Sequence, residues 1–510
     1  MLITTQNLSI HHQKDLRPLV ADLTLTINSG DKVAIIGEEG NGKSSLLKTL
    51  LNPDMVADYL LISGTIQRHF SAPIYIPQSL PLEMAELTLN DYFFSQVDLD
   101  IDFGLLYRFA DQLAFDSDRL SSDQLISSLS GGEKLKIQLI KSLAKHSDII
   151  FLDEPSNDLD LDTLSWLENY IATSSKTIVY VSHDEDFLSK TATKIVHLQS
   201  VKKKMLAKTS VQTIDYQAYR DQREAAYYKQ VQQAQNDRKE FEKAMEKHRR
   251  QKSQVRNTLL NTHDATAGRL VAKKMKSILA REKRYEKQAE SMTKMPYHED
   301  AIHLFFSDIQ PVPAHKQIID VQGEELWCHE RLLVKNLSMK VKAGEKVGII
   351  GANGVGKSSL IKFLYQHLQT RSDLQLGYMP QHYADLLPLS KTPLAFLAGE
   401  KDKEEQEAAL TYLASLQFTR EEVHHAISDL SGGQQAKLLL LKMVLDKANV
   451  LLLDEPSRNF SPISQPYIRE LFSDYQGTLI CVSHDRRFLR EVCHQVYKLS
   501  KQGLYRLDSI

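Results

Sequence analysis

KVAIIGEEGNGKSSLLK, Lys32 to Lys48, decides the fold because the chain carries it twice: KVGIIGANGVGKSSLIK runs from Lys346 to Lys362. In each copy a short β-branched apolar run, the pattern of a strand buried on both faces, leads into G-x-x-x-x-G-K-S and a helical stretch. That context marks a phosphate loop. The two loops are Gly37, Glu38, Glu39, Gly40, Asn41, Gly42, Lys43, Ser44 and Ser45, and Gly351, Ala352, Asn353, Gly354, Val355, Gly356, Lys357, Ser358 and Ser359. Their glycines let backbone N–H groups turn inward around phosphate oxygens, and the helix N-terminus adds partial positive charge. Lys43 and Lys357 are expected to reach the β- and γ-phosphates of ATP, and Ser44 and Ser358 to ligate Mg²⁺. A chance glycine-rich turn explains one such match, not two in register.

Further outward the repetition continues. SLSGGEKLKIQLIKSLA (Ser128–Ala144) pairs with DLSGGQQAKLLLLKMVL (Asp429–Leu445), IIFLDEPS (Ile149–Ser156) with VLLLDEPS (Val450–Ser457), and VSHDEDFL (Val181–Leu188) with VSHDRRFL (Val482–Leu489). Leu129 to Asp153 and Leu430 to Asp454 are both 24 residues; Asp153 to His183 and Asp454 to His484 are both 30. A period near 300 is a domain duplication, not a solenoid. Apolar strands alternating with helices predict α/β domains with mainly parallel sheets. The expected boundaries are 1–200, a central segment 201–313, and 314–510.

Asp153 and Asp454 end apolar runs where a metal-bound water can be held, and Glu154 and Glu455 follow, placed to polarise the water that attacks the γ-phosphate. N-cap duty for a following helix is the alternative reading of these acids. LSGGE and LSGGQ place Ser130, Gly131 and Gly132, and Ser431, Gly432 and Gly433, at helix starts, forming a second anion cradle in each repeat. Two cradles in one domain make sense if one serves the partner domain's nucleotide. At these motifs nearly all of both repeats resembles the ATP-binding cassette family, whose signature is LSGGQ. The resemblance implies head-to-tail closure over two ATP molecules. One site would join Lys43, Gln78, Asp153, Glu154 and His183 to Ser431, Gly432 and Gly433. The other would join Lys357, Gln381, Asp454, Glu455 and His484 to Ser130, Gly131 and Gly132. Gln78 and Gln381 match the family's Q-loop, which senses Mg²⁺, and His183 and His484 its switch histidine. His11 or His12, and Trp327 or His329, are the candidates for stacking on adenine. The first D-loop reads SNDLDLDT (Ser156–Thr163); the second, SRNFSPIS (Ser457–Ser464), loses both aspartates and gains a proline. This predicts altered geometry around the first ATP, with both sites competent for hydrolysis and room for unequal rates.

The 510 residues carry a net charge of −2, yet Tyr216 to Met295 holds 20 Lys or Arg against 10 Asp or Glu. That segment is +10, so the remainder is −12. Tyr216–Val255 contains no Gly or Pro and reads as one helix of about 40 residues. NTLLNTHDATAG (Asn257–Gly268) reads as a turn, and a second helix from Arg269 closes an antiparallel hairpin. A solvated coiled-coil face is the bland reading of so much charge, but Asp264 is the only acid between Lys247 and Arg281. A polyanion partner fits that imbalance, with Arg249, Arg250, Lys252, Arg256, Arg269, Lys273, Lys274, Lys276 and Arg281 as RNA-contact candidates. Two cassettes joined by a basic hairpin resemble the ABC-F subfamily. The resemblance implies insertion toward the peptidyl-site tRNA and 23S rRNA of the large ribosomal subunit, with Leu259, Leu260 and His263 at the tip. Details such as GEEGNGKSS and DEPSRNFSP resemble the Gram-positive antibiotic-resistance branch. That branch dislodges lincosamides, pleuromutilins or group A streptogramins. A general translation factor and a transporter ATPase are the alternatives.

No run approaches the roughly 18 to 20 apolar residues of a membrane span. Cys328, Cys481 and Cys493 lack metal-ligand spacing and read as thiols of a reducing compartment. The expectation is a cytoplasmic monomer that closes on itself without an obligate protein subunit.

Overall fold

The computed structural model describes residues 1–510 apart from 96–99, 158, 202–205, 261–264, 294–305, 307–308, 329–330, 400–402 and 508–510. It forms two compact units, Met1–Tyr216 with Glu299–Ile510, and Gln217–His298.

The larger unit holds both cassettes. In the first, strands Pro73–Ile76, Ile149–Asp153, Thr177–Val181, Lys32–Gly37 and Lys194–Val201 lie side by side in that order, all parallel. Leu206–Gln212 closes the edge antiparallel, so this sheet continues past the expected boundary at 200. The second repeats the order with Leu376–Met379, Val450–Asp454, Thr478–Val482, Lys346–Gly351, Gln495–Ser500 and Gly503–Leu507. The central strands are buried along their length, which is why they read as unbroken apolar runs rather than alternating ones. The phosphate-loop strand sits in the middle of each sheet, so its C-terminal end opens on the crevice where α/β sheets bind ligands.

The two cassettes meet along a charge-matched seam. After the repeated Val-Ser-His-Asp, the first copy continues Glu185-Asp186 and the second Arg486-Arg487. Arg487 Nη1 lies 2.7 Å from Glu185 Oε2 and its Nε 2.5 Å from Asp186 Oδ1. Arg486 Nη1 reaches Glu168 Oε1 at 3.0 Å, Arg490 Nη2 reaches Asp186 Oδ2 at 2.8 Å, and Arg469 Nη2 reaches Glu185 Oε2 at 3.1 Å. Buried charges such as Glu185 and Arg469 are tolerated because each has opposite charge at hand. Between them burial, then neighbouring Asp485, pushes the Asp184 carboxyl up to about 7.

The smaller unit is built on two long helices, Tyr216–Leu260 and Ala265–Ser291. His248 Nε2 meets the Ile278 carbonyl at 3.1 Å, Lys252 reaches Glu282 at 2.7 Å, and Asp237 accepts from the Thr293 amide at 3.1 Å. Positions ascending one helix meet positions descending the other, so the pair is antiparallel. The helices run further than the sequence implied. Asn257–Leu260 belongs to the first, and the second opens at Ala265, ahead of the expected Arg269. Gly268 is absorbed inside a helix, where its cost of about 1 kcal/mol is outweighed by flanking helix formers. Residues 261–264, including His263, lie outside the described residues, as does the side chain of Leu259; Leu260 is exposed.

Candidate active sites

Each phosphate loop turns into its helix through a left-handed glycine, Gly42 at φ 84° and Gly356 at φ 106°. A Cβ on either would press on Leu19 or Leu333, so glycine is required sterically as well as conformationally. Lys43 Nζ donates to the Glu38 carbonyl at 3.1 Å, and Lys357 Nζ to those of Gly351 and Ala352 at 2.9 and 3.1 Å. Asn353 and Val355 complete the second loop, the latter buried. Asn41 faces away, donating to the Leu198 carbonyl at 3.2 Å.

The signature serines cap the helices Gly131–Leu143 and Gly432–Leu445 through capping boxes with Glu133 and Gln434. The structure brings each signature to the other cassette's phosphate loop. Ser130, Gly131 and Gly132 line a cavity of about 580 Å³ with Gly354, Lys357, Ser358, Ser359, Gln381, Asp454, Glu455 and His484. A second cavity, of about 390 Å³, is lined by Gly40, Lys43, Ser44, Ser45, Gln78, Glu154 and His183. Across from it Gly433 donates its N–H to the Glu39 carboxylate, and Ser431 lies beside the same glutamate.

Around the first site the polar groups interlock. Ser44 Oγ donates to Asp153 Oδ1 at 2.8 Å and Tyr75 to its other oxygen at 3.2 Å. Glu154 Oε2 accepts from Gln78 at 2.9 Å and Asn157 at 2.6 Å, while Oε1 lies 3.2 Å from His183 Nε2. His183 Nδ1 is 3.1 Å from the Phe460 carbonyl of the opposite D-loop, and Gln465 donates to the His183 carbonyl at 2.9 Å. Burial raises the Glu154 carboxyl, but His183 and Lys43 outweigh it and hold it down at about 2.

The second site is looser. His484 Nε2 stands 3.8 Å from Glu455 Oε1, which makes no hydrogen bond among the described residues, and neither does His484 Nδ1. Gln381 faces Ser358 at 3.5 Å instead of the glutamate, and Arg458 stands where the first copy has Asn157. Burial, then adjacent Asp454, pushes the Glu455 carboxyl up to about 8; burial and Lys357 push His484 down to about 3. Both glutamates share one backbone device, a positive φ of 51° at Glu154 and 53° at Glu455. Such a conformation is uncommon for side chains with a Cβ, and the two repeats hold it at the same position.

The altered second D-loop has its own partner. Ser461 Oγ donates to Glu38 Oε1 at 2.9 Å, and Ser464 donates to the same oxygen. The first D-loop keeps Asp160, which accepts from Thr163 to cap its helix; Asp158 is outside the described residues. Of the adenine candidates, His12 lines the cavity beside Lys43 with Arg17 and Tyr59, whereas His11 and Trp327 line neither cavity. Cys328, Arg331 and Leu333 line the cavity beside Lys357, and His329 is outside the described residues. Asn157, Arg17, Tyr59, Arg331 and the serines on Glu38 were not anticipated from the sequence. Aligning the two repeats beyond Asp153-Glu154 and Asp454-Glu455 marks Asn157 against Arg458 and the exchange of Asp160 for Ser461.

Two P-loops, each facing a signature helix of the other repeat, match the family described as ABC transporter over residues 20–157 and 334–458. The chain belongs to the ABC transporter family. As an ABC protein it is an ATPase. Its relatives include the probable ATP-binding protein YheS of Escherichia coli, 26% identical, aligned over 96% of this chain and 77% of that one. The ribosome protection protein VmlR of Bacillus subtilis is 28% identical over 99% of this chain and 87% of its own. ABC transporter F family member 5 of Arabidopsis thaliana is 26% identical over 94% and 72%, and these relatives place the chain in the ABC-F subfamily. In fold it is similar to the archaeal ribosome recycling factor aABCE1, crystallised with the stalk protein aP1, at a TM-score of 0.58 and 16% identity over 98% and 90% of the two chains.

Proposed function

We propose that this ABC-F protein is a cytoplasmic, monomeric ATPase that binds the ribosome and dislodges antibiotics from its large subunit. Lincosamides, pleuromutilins and group A streptogramins are the drug classes proposed. The observation that carries the reading is the basic hairpin. Arg249, Arg256, Arg269, Lys273, Lys274, Lys276 and Arg281 are exposed and make no ion pair among the described residues. Arg250 is shared with Glu246 at 2.5 Å, and Lys252 with Glu282 at 2.7 Å, where it also ties the helices together. Guanidinium and ammonium groups free on a helical rod bind phosphate backbones without reading sequence. The peptidyl-site tRNA and 23S rRNA are the proposed polyanions. Similarity to a protein named for ribosome protection supports this choice. No helix among the described residues is long and apolar enough to cross a membrane.

Hydrolysis would be carried by Glu154 and Glu455 as acceptors of the proton of the attacking water, with His183 holding Glu154 and His484 standing near Glu455. The oxygen donors Ser44 with Asp153, and Ser358 with Asp454, suit a hard cation, and Gln78 and Gln381 lie beside them. Mg²⁺ held there would neutralise phosphate charge. Signature serines and glycines would close on the γ-phosphate, coupling ATP binding to cassette closure.

The test is the double variant Glu154→Gln with Glu455→Gln. Hydrolysis should fall at least about a hundredfold, the scale of a lost general base, and the protein should co-sediment with ribosomes when ATP is present. A double variant that sediments free of ribosomes under ATP contradicts the reading. Ribosome binding by wild type with unchanged inhibitory concentrations across large-subunit drugs would leave a general translation factor.

A further inference from the structure

The first phosphate loop carries a carboxylate where the second carries an amide: Glu39 aligns with Asn353. Glu39 does not point into solvent. Its Oε2 accepts the N–H of Gly433, the signature residue across the interface, and a Cβ on Gly432 would stand 3.1 Å from both carboxylate oxygens. A side chain there would crowd the carboxylate. The helix Gly432–Leu445 starts at this point, so the carboxylate rests on the positive end of a 14-residue helix. The neighbouring Glu38 is anchored by Ser461 and Ser464, which pins the loop from which Glu39 reaches across. The second phosphate loop carries no carboxylate at the aligned positions, Ala352 and Asn353. There Asn353 is neutral and Gly354 is the residue that approaches Ser130, with its Cβ position 3.8 Å from Ser130 Cβ.

We infer that Glu39 is a resident anion of the first site, competing with the γ-phosphate of ATP for the signature cradle formed by Gly432 and Gly433. A carboxylate and a γ-phosphate cannot share one N–H at a helix start, because both are anionic acceptors. ATP must displace Glu39 to draw the second signature onto its γ-phosphate. ADP lacks that phosphate, so it sits on the P-loop with Glu39 still bridging the cassettes. The first site therefore discriminates against ATP relative to ADP and keeps its two halves in contact after hydrolysis. The second loop, with no carboxylate at this position, has no resident anion to displace. The inference concerns nucleotide chemistry alone, and its failure would leave the ribosome reading untouched.

The experiment is calorimetric binding of Mg²⁺–AMPPNP and Mg²⁺–ADP to the full chain carrying Lys357→Ala, which silences the second site. Adding Glu39→Asn, the residue of the second loop, should tighten AMPPNP about tenfold, the scale of a lost competing charge-assisted contact, and leave ADP within about twofold. Glu39→Gln, which keeps the size and removes the charge, should move AMPPNP in the same direction. Unchanged or weakened AMPPNP binding in both variants overturns the proposal. So does an equal shift for both nucleotides, which would mean that Glu39 merely shapes the P-loop.

Discussion

The two nucleotide sites are built from the same motifs at the same spacings, yet they differ in how their glutamates are held. Glu154 has three side-chain partners, Gln78, Asn157 and His183, and the histidine is steadied by a carbonyl from the opposite cassette. Glu455 Oε2 accepts the backbone N–H of His484 at 3.2 Å, but the imidazole is 3.8 Å from Oε1, which has no hydrogen bond among the described residues. A carboxylate surrounded by donors stays ionised, whereas a buried one beside another acid takes up a proton. Motif identity therefore fixes which reaction both sites perform, while the residues just outside the motifs set how ready each site is. Loss of the D-loop aspartates in the second repeat led us to expect disturbance at the first ATP. The structure places Ser461 and Ser464 on Glu38 there, and the glutamate of that site, Glu154, has the more side-chain partners of the two.

The comparison depends on the cassettes meeting in one register, so the strongest way to break it is at the seam. Arg487→Glu would set a third acid against Glu185 and Asp186. Breaking one partner of such a buried pair costs about 3–5 kcal/mol. We expect an early, separate unfolding transition in denaturant and loss of ATPase from both sites. The partial rescue expected from adding Glu185→Arg and Asp186→Arg would show that charge, not shape, was lost.

A smaller effect separates the two histidines. His183→Ala removes a group in contact with its glutamate, and His484→Ala removes one that is not. Single-turnover hydrolysis should fall about a hundredfold at the first site, within the range for positioned acid–base groups, and by less at the second.

Much of this was legible in the sequence. The phosphate loops, the strand-end aspartates Asp153 and Asp454 and the signature motifs are local patterns, and their repetition at spacings of 24 and 30 residues implies two cassettes of one fold. The hairpin was legible as composition, because forty residues without Gly or Pro have few alternatives to helix. The end of the first helix was not, since Asn257–Leu260 contains no breaker and propensity alone does not say where packing stops. Contacts across the pseudo-symmetric interface were illegible for a different reason. Glu38 meets Ser461 across 423 residues of chain and Arg487 meets Asp186 across 301, and no single-sequence rule pairs positions so far apart. The exchange of Glu185-Asp186 for Arg486-Arg487 was visible in the repeats, but only the fold shows that these segments face one another.

The unequal sites are tested most directly by the pH dependence of kcat/KM, which reports the groups of the free enzyme. Glu455→Gln leaves Glu154 as the working base, and Glu154→Gln leaves Glu455. A base must be ionised to act. With its carboxyl near 2, Glu154 is ionised throughout the measurable range, so the first profile should be flat from about pH 6 to 9. With its carboxyl near 8, Glu455 is mostly protonated at neutrality, so the second should rise about tenfold between about pH 7 and 9. Parallel profiles for the two variants would contradict the account.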